Sequence, residues 1–406
     1  MKNESHHKPS VLVLTSTFPR WEHDKEPAFV YELCRRLTAD YDVTVLAPRS
    51  PGSKDYEEMS GLRVFRFPYF MRRWENLATH SGGILNRLRA NPLNYLLVPI
   101  FLLGQLLALI RLLRHERFDL IHAHWLIPQG LISVLGIILS RRKIPLVCTS
   151  HGGDLFALQN GFFQRLKRWV MDSSAVLTVV STAMKKMVVE MGVDREKVGV
   201  IPMGVDLRNK FIPDDNVKRN DTEILFVGRL VEKKGVRHLL EALPSVLDRY
   251  PNAWLTIAGA GPLEEDLRIL AQRLDLREKI DFLGMVSQDQ LPILYRRAVL
   301  AVFPFVVAES GDQEGFGLVQ VEAMGCECPV IAGDLPAIHD SITNEESGLL
   351  VPSGNSELLA DMIIRALNDS ELCCRLAREG RKRVVEKFDW GVIAEKYVDL
   401  FKKMIR

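Results

Sequence analysis

Two carboxylates and a glycine-containing loop form the segment with the clearest chemical potential. Glu314 and Glu322 lie eight positions apart, the first in the loop and the second in the helix that the loop is expected to open. The N–H groups of Phe316, Gly317 and Leu318 would lie at the helix start, where unpaired amides and the helix dipole attract a phosphate. Glu322 would lie about one turn further along, where it could accept hydrogen bonds from a ribose diol. For this pair taken alone, an acidic loop that only caps a helix is the favoured alternative.

A second group of charged residues follows a predicted buried strand. The sequence GRLVEKKG covers residues 228–235 and begins with Gly228 and Arg229. Arg229 could bind phosphate oxygens with two parallel hydrogen bonds, and Lys234 supplies a compact second charge. A diphosphate leaving group needs its charge neutralised by a metal ion or by fixed cations. A basic turn alone is usually surface charge, but its combination with the two carboxylates favours a diphosphate site.

Candidate metal ligands are few in the sequence. Asp40-x-Asp42 is the only obvious Asp-x-Asp element, and it lies in a turn before a strand, where we expect it to be solvated. Cys326-x-Cys328 lacks the nearby His or Cys partners of a zinc site, and no Cys-x-x-Cys pair occurs. We therefore expect metal-independent chemistry that relies on the fixed cations and uses no cofactor. We also expect the six cysteines to be reduced thiols, as is typical of the cytosol.

Apolar runs alternate with helical patterns, which predicts an α/β fold with parallel sheets flanked by helices. The predicted strands are Val11–Leu14, Val43–Leu46, Leu120–Ala123, Leu146–Thr149, Val176–Val180, Val198–Pro202, Glu223–Val227, Leu255–Ala258, Ile280–Leu283, Ala301–Phe303 and Pro329–Ile331. A polar segment over 209–221 separates two halves of similar size. We predict domains over 1–207 and 208–387, and a helix over 388–406 that crosses back to the first domain. Because ligands bind beyond the carboxyl ends of parallel strands, two facing halves would form a binding cleft.

Charge is balanced over the whole chain but not within its halves. The 406 residues carry a net charge of +2, which argues against a dedicated nucleic-acid binder. Residues 1–205 contain nine more basic than acidic side chains, and the remainder contains seven more acidic than basic ones. This asymmetry fits a basic half that faces an anionic partner, or merely segregated, solvated charge. The polar first ten residues lack the apolar region of a signal peptide, so we expect a cytoplasmic protein.

An apolar run from Tyr95 to Leu113 is nearly long enough to span a bilayer. It contains Pro99, Gln105 and Arg111, and arginines flank it. We favour a buried helix of an α/β domain, then a helix on a membrane surface, and last a true span. Residues 60–120 hold nine arginines and three acidic residues, interleaved with aromatic side chains. This composition suits an acidic membrane surface or a lipid diphosphate acceptor as well as it suits a solvated rim.

The ordered set of motifs in the second half resembles glycosyltransferase family 4, the group 1 enzymes. The motifs are GRLVEKKG at 228–235, IAGAGP at 257–262, EGFGLVQVEAM at 314–324, CPVIA at 328–332 and FDW at 388–390. The resemblance continues more weakly through 118–124 and 149–154. It implies a GT-B fold, in which two Rossmann-like domains face each other across a cleft. It also implies a retaining, nucleotide-sugar-dependent activity, with an acceptor-side first domain and a donor-binding second domain.

The resemblance implies a role for each matching position. Arg229 and Lys234 match the pair that binds the donor diphosphate. Glu314 matches the first acid, near the transferred sugar and its phosphate, and Glu322 matches the second acid, which holds the ribose. The backbone over 316–318 matches the amides that contact sugar and phosphate. The glycines of the two Gly-containing turns, Gly228 and Gly261, are also assigned to donor binding.

Histidines and an aspartate of the first half complete the predicted site. His151 matches a first-domain histidine that reaches the sugar, and it independently follows a strand and precedes Gly152-Gly153. Asp154 is expected to orient His151 or to bind the acceptor, and His124 is expected at the cleft edge on the acceptor side. His122 and His124 share one face of their strand, but no third metal ligand is evident.

The sequence departs from the family pattern at three places. The first strand–helix loop, residues 18–29, is long and charged and has no glycine, so acceptor or phosphate contacts there are not carried over. Residues Val306–Gln313 resemble an insertion ahead of Glu314 that could alter sugar choice or form a lid. The usual Gly-Thr before Pro-Val is replaced by Glu327-Cys328.

Together these features predict an enzyme that moves a hexose-type sugar from a nucleoside diphosphate sugar to an acceptor hydroxyl. The acceptor would be a carbohydrate, a lipid-linked molecule or a small molecule, in polysaccharide, lipopolysaccharide or glycolipid synthesis. We expect a cytoplasmic enzyme that can contact the inner face of the cell membrane and does not bind nucleic acid. The alternatives are a GT-B-fold nucleotide-sugar epimerase and an inactive nucleotide-sugar-binding scaffold.

Overall fold

A computed structural model describes residues 8–22, 24, 28–78, 84, 87–88, 91–157 and 159–405. Parts of two sequence predictions, the polar first ten residues and the charged loop over 18–29, lie outside the described residues. The chain divides into two compact units. The first comprises the described residues up to Val180, together with Met184–Ile201 and the residues from Ile393 onward, and the second comprises Ser181–Ala183 and Pro202–Val392.

The first unit is built on an eight-stranded sheet. Its strands are β1 (Ser10–Leu14), β2 (Asp42–Pro48), β3 (Tyr56–Met59), β4 (Leu62–Phe67), β5 (Leu120–His124), β6 (Leu146–Ser150), β7 (Val176–Val179) and β8 (Val198–Val200). Their order across the sheet is β3-β4-β2-β1-β5-β6-β7-β8. All neighbours are parallel except the antiparallel β3 and β4. The central strands are buried on both faces, as continuous apolar runs require.

The second unit is built on a six-stranded parallel sheet. Its strands are β9 (Asn220–Val227), β10 (Trp254–Ala258), β11 (Ile280–Gly284), β12 (Ala298–Phe303), β13 (Val330–Asp334) and β14 (Leu349–Pro352). Their order is β11-β10-β9-β12-β13-β14. The neighbours β9 and β12 are consecutive in space but not in sequence, so the loops that follow their carboxyl ends lie side by side.

Helices connect the strands in both sheets. They are α1 (Phe29–Leu37), α2 (Leu97–His115), α3 (Leu131–Ser140), α4 (Gly153–Phe156), α5 (Gly161–Ser173), α6 (Thr182–Glu190), α7 (Val236–Arg249), α8 (Glu264–Arg273), α9 (Leu291–Arg297), α10 (Leu318–Gly325), α11 (Ser356–Asn368), α12 (Ser370–Phe388) and α13 (Trp390–Ile405). The end of α13 packs in the first unit, where the Tyr41 hydroxyl donates to the Val398 carbonyl at 3.1 Å. The predicted α/β fold with two parallel sheets is confirmed.

Each predicted strand is present, but three further strands were not predicted. The charged β3 and the alternating β4 have half-exposed or exposed residues on one face, so neither is a continuous apolar run. The short edge strand β14 has only four residues. A search for continuous apolar runs therefore misses β3, β4 and β14 at one end of each sheet, although it finds β8 and β11 at the opposite ends.

The prediction of a buried helix over Tyr95–Leu113 is wrong for one of its faces. The inner face of α2 packs in the first unit, where Leu109 lies against Gly136 of α3. The outer face is solvated, with Leu103 and Leu107 more than half exposed. A helix that covers a sheet needs only one apolar stripe, and the described residues leave the other face of α2 exposed. Pro92–His115 is nevertheless long and apolar enough to cross a membrane by length and composition alone.

Two substitutions measure this difference between the faces of α2. Leu109→Ala is expected to lower the free energy of unfolding by about 2–5 kcal/mol, because it leaves a cavity in the core. The control Leu107→Ala, two positions away on the exposed face, is expected to change it by less than about 0.5 kcal/mol. Urea unfolding followed by circular dichroism measures both, and equal effects would contradict the packing described here.

Candidate active site

An ion pair forms where the loops after β9 and β12 meet in the second unit. The turn 228–235 follows β9 and leads into α7, and the loop 304–317 follows β12 and leads into α10. The Lys234 ammonium donates to a Glu314 carboxylate oxygen at 2.6 Å. Both side chains are largely shielded from solvent, with 13% and 15% of their surface exposed. The structure therefore brings together a predicted diphosphate cation and the predicted first acid.

The carboxyl group of Glu314 is ionised in spite of its burial. Burial alone would raise its pKa, but the positive charges of Lys234 and Lys233 outweigh that effect and lower the pKa to about 2. The Phe316 N–H also donates to this carboxylate and stabilises its charged form. The predicted phosphate-contacting amide of Phe316 is thus directed to Glu314 in the structure.

The predicted insertion Val306–Gln313 packs against the basic turn. The Val306 N–H donates to the Lys233 carbonyl at 3.0 Å, and the Glu309 N–H donates to the Glu232 carboxylate at 2.7 Å. The Lys233 ammonium in turn lies 3.1 Å from Asp312. These contacts hold the segment beside the Lys234–Glu314 pair. Its predicted effect on sugar choice, or its use as a lid, stays a prediction.

The loop enters α10 through a residue that only glycine accommodates easily. Gly317 has φ 84°, in the left-handed region, and a Cβ atom there would lie 2.5 Å from the Gln320 side-chain oxygen. The helix begins at Leu318, so its first N–H groups have no intrahelical acceptor. The predicted helix start therefore forms four residues after Glu314, and its binding of an anion stays a prediction.

Glu322 lies inside α10, as predicted, and is buried. The Tyr295 hydroxyl of α9 donates to its carboxylate at 3.0 Å. Burial raises the pKa of Glu322 to about 7, although this hydrogen bond and the charges of Lys210 and Lys234 act in the opposite direction. Sequence reasoning missed Tyr295, because a tyrosine in an amphipathic helix gives no sign that its hydroxyl will face an acid from another element.

The two Gly-containing turns of the second unit contact each other through their backbones. The Leu230 N–H donates to the Ala260 carbonyl at 3.1 Å, and the Gly228 N–H donates to the Ala258 carbonyl at 3.0 Å. A Cβ atom at Gly261 would lie 2.3 Å from the Leu230 carbonyl oxygen, so the close approach requires glycine there. Packing accounts for Gly261, and the donor contacts of Gly228 and Gly261 stay predictions. Arg229 is exposed in the same turn as Lys234.

In the first unit, the neighbouring strands β5 and β6 bring two predicted histidines together. His124 ends β5 and His151 follows β6, and their Nδ1 and Nε2 atoms are 2.9 Å apart, so one ring donates to the other. The rings stack with an interplanar angle of 13°. The rings of Phe29 and Trp125 enclose His151 from other sides.

This histidine pair is neutral over the physiological pH range. Burial lowers the pKa of His151 to about 3, and it also lowers the pKa of His124 far below its usual value. His122, also neutral because burial lowers its pKa to about 3, bonds the Thr149 hydroxyl at 2.8 Å. The buried Nδ1 of His151 has no hydrogen-bond partner within the part of the chain that the structure describes.

Asp154 and His124 have structural contacts that sequence reasoning did not foresee. The Asp154 carboxylate accepts the Leu126 N–H at 2.7 Å and the Ser150 hydroxyl at 2.9 Å, so it ties the loops after β5 and β6 together. His124 is 1% exposed, and its ring stacks on the ring of His151. The predicted acceptor contacts of both residues stay predictions. Among the described residues, no group of three or more His, Cys, Asp or Glu side chains could hold a metal ion.

Solved structures with the same architecture define the fold. A sucrose-phosphate synthase from Thermosynechococcus elongatus superposes with a TM-score of 0.77, covering 98% of this chain and 99% of that one at 20% identity. The Anabaena HepE protein, solved with UDP-glucose, superposes with a TM-score of 0.71 over 97% and 99% of the two chains at 18% identity. The fold is therefore the predicted GT-B architecture.

Sequence comparison gives the family. Residues 28–209 match the model of Glycosyltransferase Family 4, and residues 208–383 match that of Glycosyl transferases group 1. A phosphatidyl-myo-inositol mannosyltransferase of Mycobacterium tuberculosis is 30% identical, over 90% of this chain and 89% of the relative. An uncharacterised glycosyltransferase of Methanocaldococcus jannaschii is 28% identical, over 84% and 88%. The chain belongs to the family 4, group 1 glycosyltransferases, which confirms the predicted resemblance.

The neutral state of the histidine pair can be measured directly. Because burial keeps the imidazolium forms unfavourable, the ring nitrogen shifts of His124 and His151 are expected to stay constant between pH 5.5 and 8. NMR of protein labelled with ¹⁵N-histidine measures them, and His124→Gln and His151→Gln assign the two signals. A titration midpoint between pH 6 and 7 at either residue would contradict the buried pair.

Proposed function

We propose that this glycosyltransferase moves a hexose-type sugar from a nucleoside diphosphate sugar to an acceptor hydroxyl, with retention of the anomeric configuration. The observation that carries the proposal is the ion pair of Lys234 and Glu314 beside the start of α10. A lysine ammonium has three donors, so Lys234 can keep its bond to Glu314 and still bind a diphosphate oxygen. The ion pair restricts the ammonium to one position before the donor arrives.

The proposed chemistry is a substitution at the anomeric carbon. The bond between that carbon and the diphosphate oxygen breaks, a bond to the acceptor oxygen forms, and the acceptor proton passes to the departing diphosphate. Lys234, Arg229 and the first amides of α10 would stabilise the charge that develops on the diphosphate. Glu314 would act through electrostatics and positioning, and His151 would contact the sugar.

We further propose that these fixed cations serve in place of a divalent metal ion and that the enzyme works in the cytoplasm. Chelation with EDTA should then leave turnover unchanged. Relatives are named for transfer to phosphatidyl-myo-inositol and for use of GDP-mannose, which supports a mannose-type donor and a lipid-linked acceptor as the first to test. Conversion of a donor without any acceptor would instead identify an epimerase, and binding without turnover would identify a scaffold.

Removing either member of the ion pair is expected to stop transfer without unfolding the protein. Lys234→Ala and Glu314→Gln should each lower kcat by about 10²–10³-fold, because a preorganised charge at the leaving group is lost. The control Lys186→Ala removes an exposed lysine of α6 and should leave kcat unchanged. Release of nucleoside diphosphate from GDP-mannose and UDP-glucose, with pooled acceptors, measures all three. Near-normal turnover in either site variant would refute the assigned roles.

Donor affinity is expected to depend on pH through Glu322. Its raised pKa of about 7 leaves the carboxyl largely protonated at pH 6 and ionised at pH 8. Because ribose hydroxyls donate to the ionised form, binding should tighten by about tenfold between these pH values. Isothermal titration with nucleotide sugars, whose diphosphate does not titrate in this range, measures the change. Glu322→Gln should bind weakly and show no such dependence; an unchanged slope in this variant would assign it to another group.

A further inference from the structure

An apolar surface with a basic border lies on the first unit and is formed by residues that are not assigned to transfer. Its main part is a stripe along α2 and the turn before it, formed by Leu93, Leu96, Ile100, Leu103 and Leu107. We call it the α2 stripe. Its members recur at alternating spacings of three and four residues, so they lie on one helix face. Their exposed fractions run from 41% to 72%.

A folded turn extends this surface beside the helix. Phe70, Met71 and Trp74 are 42%, 54% and 52% exposed. The turn is adjacent to α2, because a Cβ atom at Gly104 would lie 2.6 Å from the Pro68 carbonyl oxygen. The exposed side chains therefore stand next to the α2 stripe.

A buried carboxylate fixes the shape of this turn. Glu75 is fully buried and accepts the N–H groups of Tyr69 and Phe70 at 2.7 and 3.0 Å. Arg49 donates to the same carboxylate, at 2.5 Å for its closest pair of atoms. A turn that is held by an internal ion pair presents its exposed apolar side chains in a fixed arrangement.

The border of this surface is mainly basic, and its one described acidic contact is Asp55, which pairs with Arg72 at 3.3 Å. The series of the α2 stripe continues four and seven positions beyond Leu107 with Arg111 and Arg114, both exposed. Arg72 and Arg73 stand in the adjacent turn, where Arg73 lies over the Trp74 ring. From residue 76 to residue 115 the sequence contains no aspartate or glutamate. Such a face is complementary to a surface that is apolar inside and anionic at its edge.

We propose that the α2 stripe and the adjacent turn dock the first unit on an anionic phospholipid bilayer. Leucine and isoleucine side chains would enter the boundary between headgroups and acyl chains, and the arginines would bind lipid phosphates. Trp74 and Tyr95 are the residue types that prefer this boundary. The helix lies on the bilayer and does not cross it, because its inner face is packed in the unit. This docking is independent of the proposed transfer, since lipid binding is measured without a donor.

Vesicle binding by the full chain tests the proposal. Wild-type protein should float with vesicles of phosphatidylcholine and phosphatidylglycerol in a salt-sensitive manner, and bind pure phosphatidylcholine at least tenfold more weakly. Leu96→Asp with Leu103→Asp should lower the affinity at least tenfold, and Arg111→Glu with Arg114→Glu should remove the preference for anionic vesicles. The matched control Met285→Asp changes a side chain of the second unit that is 87% exposed, and it should bind like wild type.

A second measurement uses the tryptophan fluorescence of the protein. Brominated phosphatidylglycerol should quench part of the tryptophan fluorescence of the wild type, and Trp74→Phe should lose that part. Absence of binding to anionic vesicles, absence of quenching, or full binding by the double aspartate variant would overturn the proposal. So would sedimentation that shows a dimer abolished by Leu96→Asp with Leu103→Asp, because the occupant would then be a second copy of the chain.

Discussion

The site depends on one interaction, the contact of the Lys234 ammonium with the buried Glu314 carboxylate. Either charge alone would be costly in this buried position. Lys234 and Lys233 together keep the Glu314 carboxyl ionised. The pair also joins the loop after β9 to the loop after β12, so it couples the basic turn to the start of α10. The geometry of the charges that would meet a diphosphate is therefore set before a donor binds.

The contrast between the two acids of the motif follows from their surroundings. Glu314 and Glu322 are both shielded from solvent, but only Glu314 has an ammonium in direct contact. Glu322 has a tyrosine hydroxyl as its partner, and burial raises its pKa to about 7. One acid is thus a permanent charge, and the other can change its charge when hydroxyl groups bind it.

Much of the fold and of the site could be predicted from the sequence, because the central strands are continuous apolar runs and the charged residues follow them directly. Lys234 and Glu314 were placed in one site from their motifs, and their contact follows from the adjacency of β9 and β12, which no local pattern reveals. Tyr295 and the pairing of His124 with His151 were missed because they depend on tertiary packing between elements. The strands β3, β4 and β14 and the exposed face of α2 were misjudged for a related reason: composition gives apolarity but not which neighbours an element has.

A crystal structure of the protein with a bound nucleoside diphosphate sugar tests the central claim most directly. We expect a diphosphate oxygen within about 3 Å of the Lys234 ammonium, with Glu314 still bonded to that ammonium and the phosphates at the start of α10. A donor whose diphosphate lies away from this turn, and whose ribose does not reach Glu322, would contradict it.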